Sequence, residues 1–297
     1  MRVKTKNITT LEDISELLDV APSKLMYFSL NMKKNVREFE KNKKNSSKQK
    51  RKITAPSKEL RDIQRKIKEK ILNNYSYNNY IYGLGGNTLK QHARVHQGRK
   101  NLVQMDLKDF YPSIKNQLVY NMWLNKFEFD HNASRVLTKL TTMHGGLKQG
   151  FPTSSHIAAI VAEEFTTHMY DYCKENKLKF SQYVDDINIS GNEIDYRLVF
   201  KTFIPIGRQY GLTIKKTKTR VVDRNIGKTI TGVSLYEQRT RVPKEVMSKA
   251  INALKNLSLD PKNEHYRRVV SGYLGFVKHL NKVDGRKYRK MRDKIIK

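Results

Sequence analysis

The chain has 297 residues, enough for one large domain or two to three medium ones. Its 59 Lys and Arg against 28 Asp and Glu give a formal charge of +31, a surface that repels itself unless a polyanion binds it, so nucleic acid is the leading partner. The single cysteine, Cys173, excludes an intrachain disulfide and a Cys-based zinc site, and the lack of an apolar leader or a membrane-length apolar run predicts a soluble, cytoplasmic chain with no membrane partner.

Residues 9–30, "TTLEDISELLDVAPSKLMYFSL", predict two short helices broken near Pro22. Thr10 and Asp13 fit a capping box with Asp in place of Glu. Leu11, Ile14, Leu17 and Leu18 recur at helical spacing, which suits a helix-turn-helix-like element or plain packing equally. The run "KNKKNSSKQKRK" at 41–52 has seven basic residues in twelve and predicts solvated loop. In "ITAPSKELRDIQRKIKEKIL", Leu60, Ile63, Ile67 and Ile71 make one apolar helix face. "YGLGGNTLKQHARVHQGRKN" reads as a glycine-rich basic connector. "LVQMDLKDFYPSI" at 102–114 reads as a strand ending in carboxylates. Residues 155–175 predict one long helix, and 178–190 a β-hairpin with Asp185 and Asp186 at or near its turn. "GLTIKKTKTRVV" and "KTITGVSLYEQRTRVP" add strand-like runs. Near the end, Val246, Ala250, Leu254 and Leu257 share a helix face. The sum is an α+β chain whose central sheet collects carboxylates between helix-rich, basic ends.

Asp185 and Asp186 are adjacent in an apolar run, "FSQYVDDINIS". Neighbouring carboxylates repel and are costly to bury. A solvated hairpin turn is one answer; a divalent cation is the other. Asp106 ends a second β-prone run. If the two strands pair, three carboxylates converge, as needed for two cations about 4 Å apart that assist phosphoryl transfer. Mg²⁺ is preferred, because it takes a few carboxylates and fills its shell with water and phosphates. Mn²⁺ is able to substitute.

"YVDD" at 183–186 resembles the catalytic box of reverse transcriptases. "RKITAP" at 51–56 resembles their fingers motif, "MDLKDFYPSI" at 105–114 motif A, "LKQGFPTSS" at 147–155 motif B, and "GLTIKKTKT" at 211–219 motif D. Within that family the chain most resembles retron reverse transcriptases. Their N-A-x-x-H motif corresponds to His92-Ala93-Arg94-Val95-His96, with His92 where Asn is usual. Their V-T-G corresponds to Ile230-Thr231-Gly232.

The resemblance implies a right-hand polymerase with an antiparallel palm sheet. It implies an N-terminal helical element (1–30), fingers with a retron-like linker (31–100), a palm with an interleaved fingers segment (101–235) and a helical thumb (236–297). No length is left over for an RNase H or endonuclease module. Asp106, Asp185 and Asp186 are the implied catalytic acids, and with the Leu107 carbonyl they are the implied ligands of a two-Mg²⁺ site. Arg51, Lys52, Tyr111, Gln149, Gly150 and Lys218 are implied for dNTP binding. Tyr111 would lie under the incoming sugar and exclude a 2′-hydroxyl, or else be a core aromatic. Lys218 would donate a proton to pyrophosphate or contact phosphate. Asp109 would be a turn carboxylate or lie near the triphosphate. Arg94, Thr231 and Gly232 are implied RNA contacts. For His92 and His96, RNA contact and internal hydrogen bonding both remain open. The implied activity is RNA-directed DNA synthesis from a structured noncoding RNA, with a branched RNA–DNA product, in bacterial antiphage defence beside a separate effector protein. The alternatives are an abortive-infection or group II intron-like reverse transcriptase, an RNA-dependent RNA polymerase, or an inactive basic RNA-binding protein.

Overall fold

The computed structural model describes residues 9–43, 46–84, 86–215, 219–222, 228–235 and 240–296. Helix α1 (Leu11–Leu18) opens on Thr10. The Thr10 hydroxyl accepts from the Asp13 N–H at 3.1 Å, and the Asp13 carboxylate accepts from the Thr10 N–H at 2.8 Å. Aspartate thus completes the capping box. Helix α2 (Pro22–Leu30) starts on its proline, whose missing N–H costs nothing in the first turn. Ile14, Leu18, Leu25 and Phe28 are buried in one core with Leu60, Ile63 and Ile67 of α3 (Lys58–Lys70). These two helices therefore serve packing.

Residues 41–43 and 46–52 are not loop. They belong to an antiparallel ribbon of β1 (Val36–Lys43) and β2 (Ser46–Pro56), in register from Val36↔Pro56 to Asn42↔Lys50. The basic run lies against a strand that carries Glu38 and Glu40. Lys52 reaches Glu38 at 2.8 Å, and Lys50 reaches Glu40 at 3.0 Å. Opposite charges across a ribbon favour pairing. Read without its partner, the run has no apolar face to announce a strand.

The central sheet has the order β3-β5-β6-β4-β7, with β8 also on β4. Its strands are β3 (Ile81–Tyr82), β4 (Asn101–Lys108), β5 (Lys179–Tyr183), β6 (Asp186–Gly191), β7 (Thr213–Ile214) and β8 (Arg220–Val222). Apart from the parallel β3–β5 pair, its pairings are antiparallel. Helices α6 (Asn116–Lys126), α7 (His131–Thr141), α8 (Ser154–Val161), α9 (Glu163–Glu175) and α10 (Tyr196–Gln209) add buried side chains to the same core, including Trp123, Leu137, Ile157, Phe165 and Phe203. The long helix expected over 155–175 is two helices, broken at Ala162 (φ −83°, ψ 6°).

The basic connector holds α4 (Leu89–Arg94), started by a second capping box between Thr88 and Gln91. A short helix, α5 (Phe110–Ser113), follows β4. A small sheet of β9 (Lys228–Ile230), β10 (Val233–Leu235) and β11 (Thr240–Arg241) precedes α11 (Lys244–Leu259), α12 (Glu264–Leu280) and α13 (Lys282–Ile296). Ala250, Leu254, Leu257, Val270 and Tyr288 form the core of these last helices. Ala93, Ile230, Val233 and Val277 join α4, the small sheet and α12 in another. Among the described residues no helix is long and apolar enough to cross a membrane.

Candidate active site

The catalytic acids expected from the sequence meet at one end of the central sheet. Asp106 sits near the end of β4 and is only 9% exposed. It lies directly opposite Asp186, the first residue of β6. The Leu107 N–H donates to the Asp185 carbonyl at 3.0 Å. Leu107–Asp185 is therefore the hydrogen-bonding position. Asp106–Asp186 is then the narrow one, where Cα atoms stand about 4.5 Å apart and side chains share a face. Asp185 is half-buried and Asp186 exposed.

Tyr183 pairs with Asp186, so Val184 and Asp185 form a two-residue loop. Val184 has φ 57°, an outlier for a β-branched residue. Strain of this kind persists only where the surroundings over-determine it. Gln182 is one brace: its Nε2 donates to the Val184 carbonyl at 2.8 Å, and its Oε1 accepts from the Thr166 hydroxyl at 3.0 Å.

Two carboxylates and a backbone carbonyl are hard oxygen donors. In an antiparallel ladder a residue turns its N–H and C=O to the same neighbour, so the Leu107 carbonyl also faces the Asp185 turn. Among the described residues no group of three or more His, Cys, Asp or Glu makes a closed metal site. An open set of this kind suits Mg²⁺, whose remaining ligands are water and substrate phosphates.

Tyr111 stands on α5, with its hydroxyl 2.8 Å from Ser155 Oγ. Burial pushes its phenol up, with the Asp185 charge and Tyr183 adding and the Ser155 hydrogen bond opposing. The hydroxyl stays protonated, and the ring lies within electrostatic reach of Asp185. Phe110, by contrast, is buried in the core. Asp109 is exposed, at φ 47°, where the chain turns into α5.

Gln149 and Gly150 dock on β2. The Thr54 N–H donates to the Gln149 carbonyl at 2.9 Å. Gly150 has φ +120°, and a Cβ there would lie 2.4 Å from the Thr54 carbonyl oxygen. A Gly150→Ala variant is expected to lose about 2–5 kcal/mol of stability, from left-handed backbone strain plus forced separation of the two segments. Thermal unfolding checks this, and an unchanged midpoint would rule out the close approach.

Arg51 and Lys52 lie on β2, half-buried and exposed respectively. The Lys52 hydrogen bond holds the Glu38 carboxyl below its usual range, with the Thr54 hydroxyl adding to it. Burial pushes the half-buried Lys148 down; Glu38 opposes this, while Lys52 and Lys115 add to it. Lys148 thus lies within electrostatic reach of Lys52, Lys115 and Glu38. Lys115 and Lys148 were not among the expected residues. The one available signal was that Lys148 immediately precedes Gln149. Lys218 lies outside the described residues.

His92 and His96 were expected as RNA contacts or internal hydrogen-bonding groups. They are 0% and 1% exposed, and both hydrogen-bond internally to Ser181, the second of those two expectations. Burial pushes His92 down to about 4 and His96 down to about 3, so both rings are neutral near pH 7. Arg94 and Gly232 are exposed, and Thr231 is half-buried.

Comparison with known proteins identifies the family. The sequence model of the family "Reverse transcriptase (RNA-dependent DNA polymerase)" matches residues 41–269. The chain is 28% identical over 219 residues to the retron Se72 reverse transcriptase of Salmonella heidelberg, covering 72% of this chain and 58% of that protein. It is 23% identical over 288 residues to the retron Ec86 reverse transcriptase of Escherichia coli, covering 96% and 88%. Among solved structures, a telomerase from Candida albicans in complex with a fragment of telomeric RNA is similar in fold, with a TM-score of 0.53 and 14% identity, over 91% of this chain and 58% of that one.

Proposed function

The chain belongs to the reverse transcriptase (RNA-dependent DNA polymerase) family, and on that premise we propose that it is a retron reverse transcriptase that copies a structured noncoding RNA into branched single-stranded DNA. The observation that carries the reading is the pairing of Asp106 with the Asp185–Asp186 hairpin, beside Tyr111. Matches to several retron reverse transcriptases support the subgroup. In this reading residues 31–100 serve as fingers, 101–235 as palm and 236–297 as thumb, after an N-terminal helical element at 1–30.

Reverse transcriptase domains generally use divalent metal ions. Here Asp106, Asp185, Asp186 and the Leu107 carbonyl would hold Mg²⁺, which when bound supplies positive charge to the attacking and leaving oxygens. Arg51 and Lys52, with Lys115 and Lys148, gather the triphosphate, the guanidinium matching phosphate oxygens in a fixed fork. Gln149 and Gly150 form the floor that lets backbone approach the nucleotide. Tyr111 excludes a ribose 2′-hydroxyl by its bulk. Lys218 is the proposed proton donor to pyrophosphate. Arg94 and Gly232 are proposed at the RNA surface, where contacts to backbone phosphates weaken as salt rises. The biological role we propose is antiphage defence beside a separate effector.

The test is to co-express the chain with its flanking DNA and extract nucleic acid from the purified protein, with an Asp185→Ala, Asp186→Ala control. One short DNA species that is absent from the control, and whose migration changes on debranching, is the expected result. Heterogeneous, unbranched DNA would move the assignment to another reverse-transcriptase class. RNA without DNA in both samples would make this an RNA-binding protein.

A further inference from the structure

The two buried histidines form a continuous chain of hydrogen bonds behind the catalytic turn. His96 Nδ1 lies 2.7 Å from Ser190 Oγ, and its Nε2 lies 2.7 Å from Ser181 Oγ. The same Ser181 Oγ lies 2.7 Å from His92 Nε2. His92 Nδ1 lies 2.9 Å from Thr231 Oγ1, in the loop between β9 and β10.

Neighbouring amides set the direction of this chain. Gln104 Nε2 donates to the Thr229 carbonyl at 3.2 Å and to Asn188 Oδ1 at 3.0 Å. Asn188 therefore turns its Nδ2 toward His92 Nε2, a longer contact of 3.4 Å. A ring nitrogen that faces an amide N–H is the acceptor, so His92 carries its proton on Nδ1 and donates to Thr231. The Ser181 hydroxyl then donates to His92 Nε2, His96 Nε2–H donates to Ser181, and the Ser190 hydroxyl donates to His96 Nδ1. Every link is satisfied with both rings neutral.

One end of this hydrogen-bond chain, Thr231, lies in a strained loop, and the other, Ser190, lies within β6. Thr231 and Gly232 join Ile230 to Val233 with φ 46° and 77°, a two-residue turn of the type that favours Asn, Asp or Gly. A β-branched threonine is out of place there on backbone grounds. Its hydroxyl, however, is what accepts from His92. The His92 ring, next to Thr231 in the hydrogen-bond chain, also stacks with Tyr183, centroids 5.6 Å apart and planes 21° apart, and with Tyr82 at 4.9 Å. Tyr183 leads into the strained Val184–Asp185 loop. Its ring is wedged against Gly83, where a Cβ would lie 2.8 Å away.

We propose that His92 and Thr231 are positioning residues for nucleotide addition: through Ser181 and Tyr183 they hold the Val184–Asp185 loop in register with Asp106, from an anchor in the β9–β10 loop. This rests on the polymerase reading above. It gives the H-A-R-V-H and I-T-G motifs a shared task, distinct from touching RNA.

The test uses the full chain, a generic RNA template with a DNA primer, and single-turnover nucleotide addition at saturating dNTP. Thermal midpoint and template–primer Kd are measured beside the rate. Thr231→Gly removes the hydroxyl and relieves the strained backbone; Thr231→Ser keeps the hydroxyl. The expected result for Thr231→Gly is an equal or higher midpoint, an unchanged Kd and a rate lower by roughly tenfold or more, since small misplacements of a reacting group are costly. Thr231→Ser recovers most of the rate. A Thr231→Gly enzyme as fast as the parent would overturn the proposal, as would a rate that falls only in step with the midpoint. A loss confined to Kd would make Thr231 an RNA contact instead. A parent enzyme that adds no nucleotide to any template would fail the polymerase reading itself, and this proposal with it.

Discussion

Asp106→Asn is expected to reduce nucleotide addition roughly a thousandfold or more, with template binding and fold intact. The amide matches the carboxylate in shape, so the β4–β6 register, which depends on backbone bonds such as Leu107 N–H to Asp185, is kept. What the amide lacks is charge. It cannot share a cation with Asp185, and a neutral oxygen is a far weaker ligand for a hard ion. Asp185→Asn should be as severe, since Asp185 occupies the turn itself and its charge reaches Tyr111. Asp186→Asn should cost less, because that side chain is exposed. Rates of single-nucleotide addition, set beside thermal midpoints, decide this. A loss below tenfold for Asp106→Asn, with Mg²⁺ saturating, would remove Asp106 from the ion site.

The site's acids were legible because two independent patterns crossed there. The apolar alternation of "FSQYVDDINIS" demanded a hairpin, and "MDLKDFYPSI" demanded a strand that ends in acid. The pairing between them was a conditional expectation, and the register Asp106↔Asp186 meets it. The β1–β2 ribbon was illegible for the opposite reason. Its basic residues face acids across the ribbon, such as Lys52 on Glu38, a complementarity that no single-strand reading contains. For His92 and His96 the sequence left RNA contact and internal hydrogen bonding both open, and nothing local could decide between them. Their partners, Ser181 and Ser190, are far away in sequence and supply no local signal. Lys148 and Lys115 gain meaning only once Gln149 docks on Thr54 and brings the ribbon's lysines close. In each case the missing information was a long-range contact between polar groups, which leaves no hydrophobic period behind.

Tyr111→Ala is expected to weaken discrimination between deoxy- and ribonucleotides by roughly a hundredfold, the scale on which a filled or emptied steric pocket changes selectivity. The ring is held by two constraints. Its backbone lies on α5, directly after β4, and its hydroxyl is bonded to Ser155 at 2.8 Å. Phe110 is buried in the core, and Tyr111 packs against that core only in part. The ring lies within electrostatic reach of Asp185, and the sugar of an incoming nucleotide would pass it if Asp185 holds the ion that grips its phosphates. Truncation to alanine opens that space, and a 2′-hydroxyl can then be accommodated. Tyr111→Phe separates bulk from hydrogen bonding: it loses the Ser155 contact but keeps the ring, so it should keep most of the discrimination. The quantity to measure is the ratio of kcat/KM for matched dNTP and rNTP in one enzyme preparation, because a shared loss of folded protein cancels in the ratio. A Tyr111→Ala enzyme with the parent's ratio would make Tyr111 a packing residue. A Tyr111→Phe enzyme that loses the ratio as fully as the alanine variant would shift the role from the ring to its hydroxyl and Ser155.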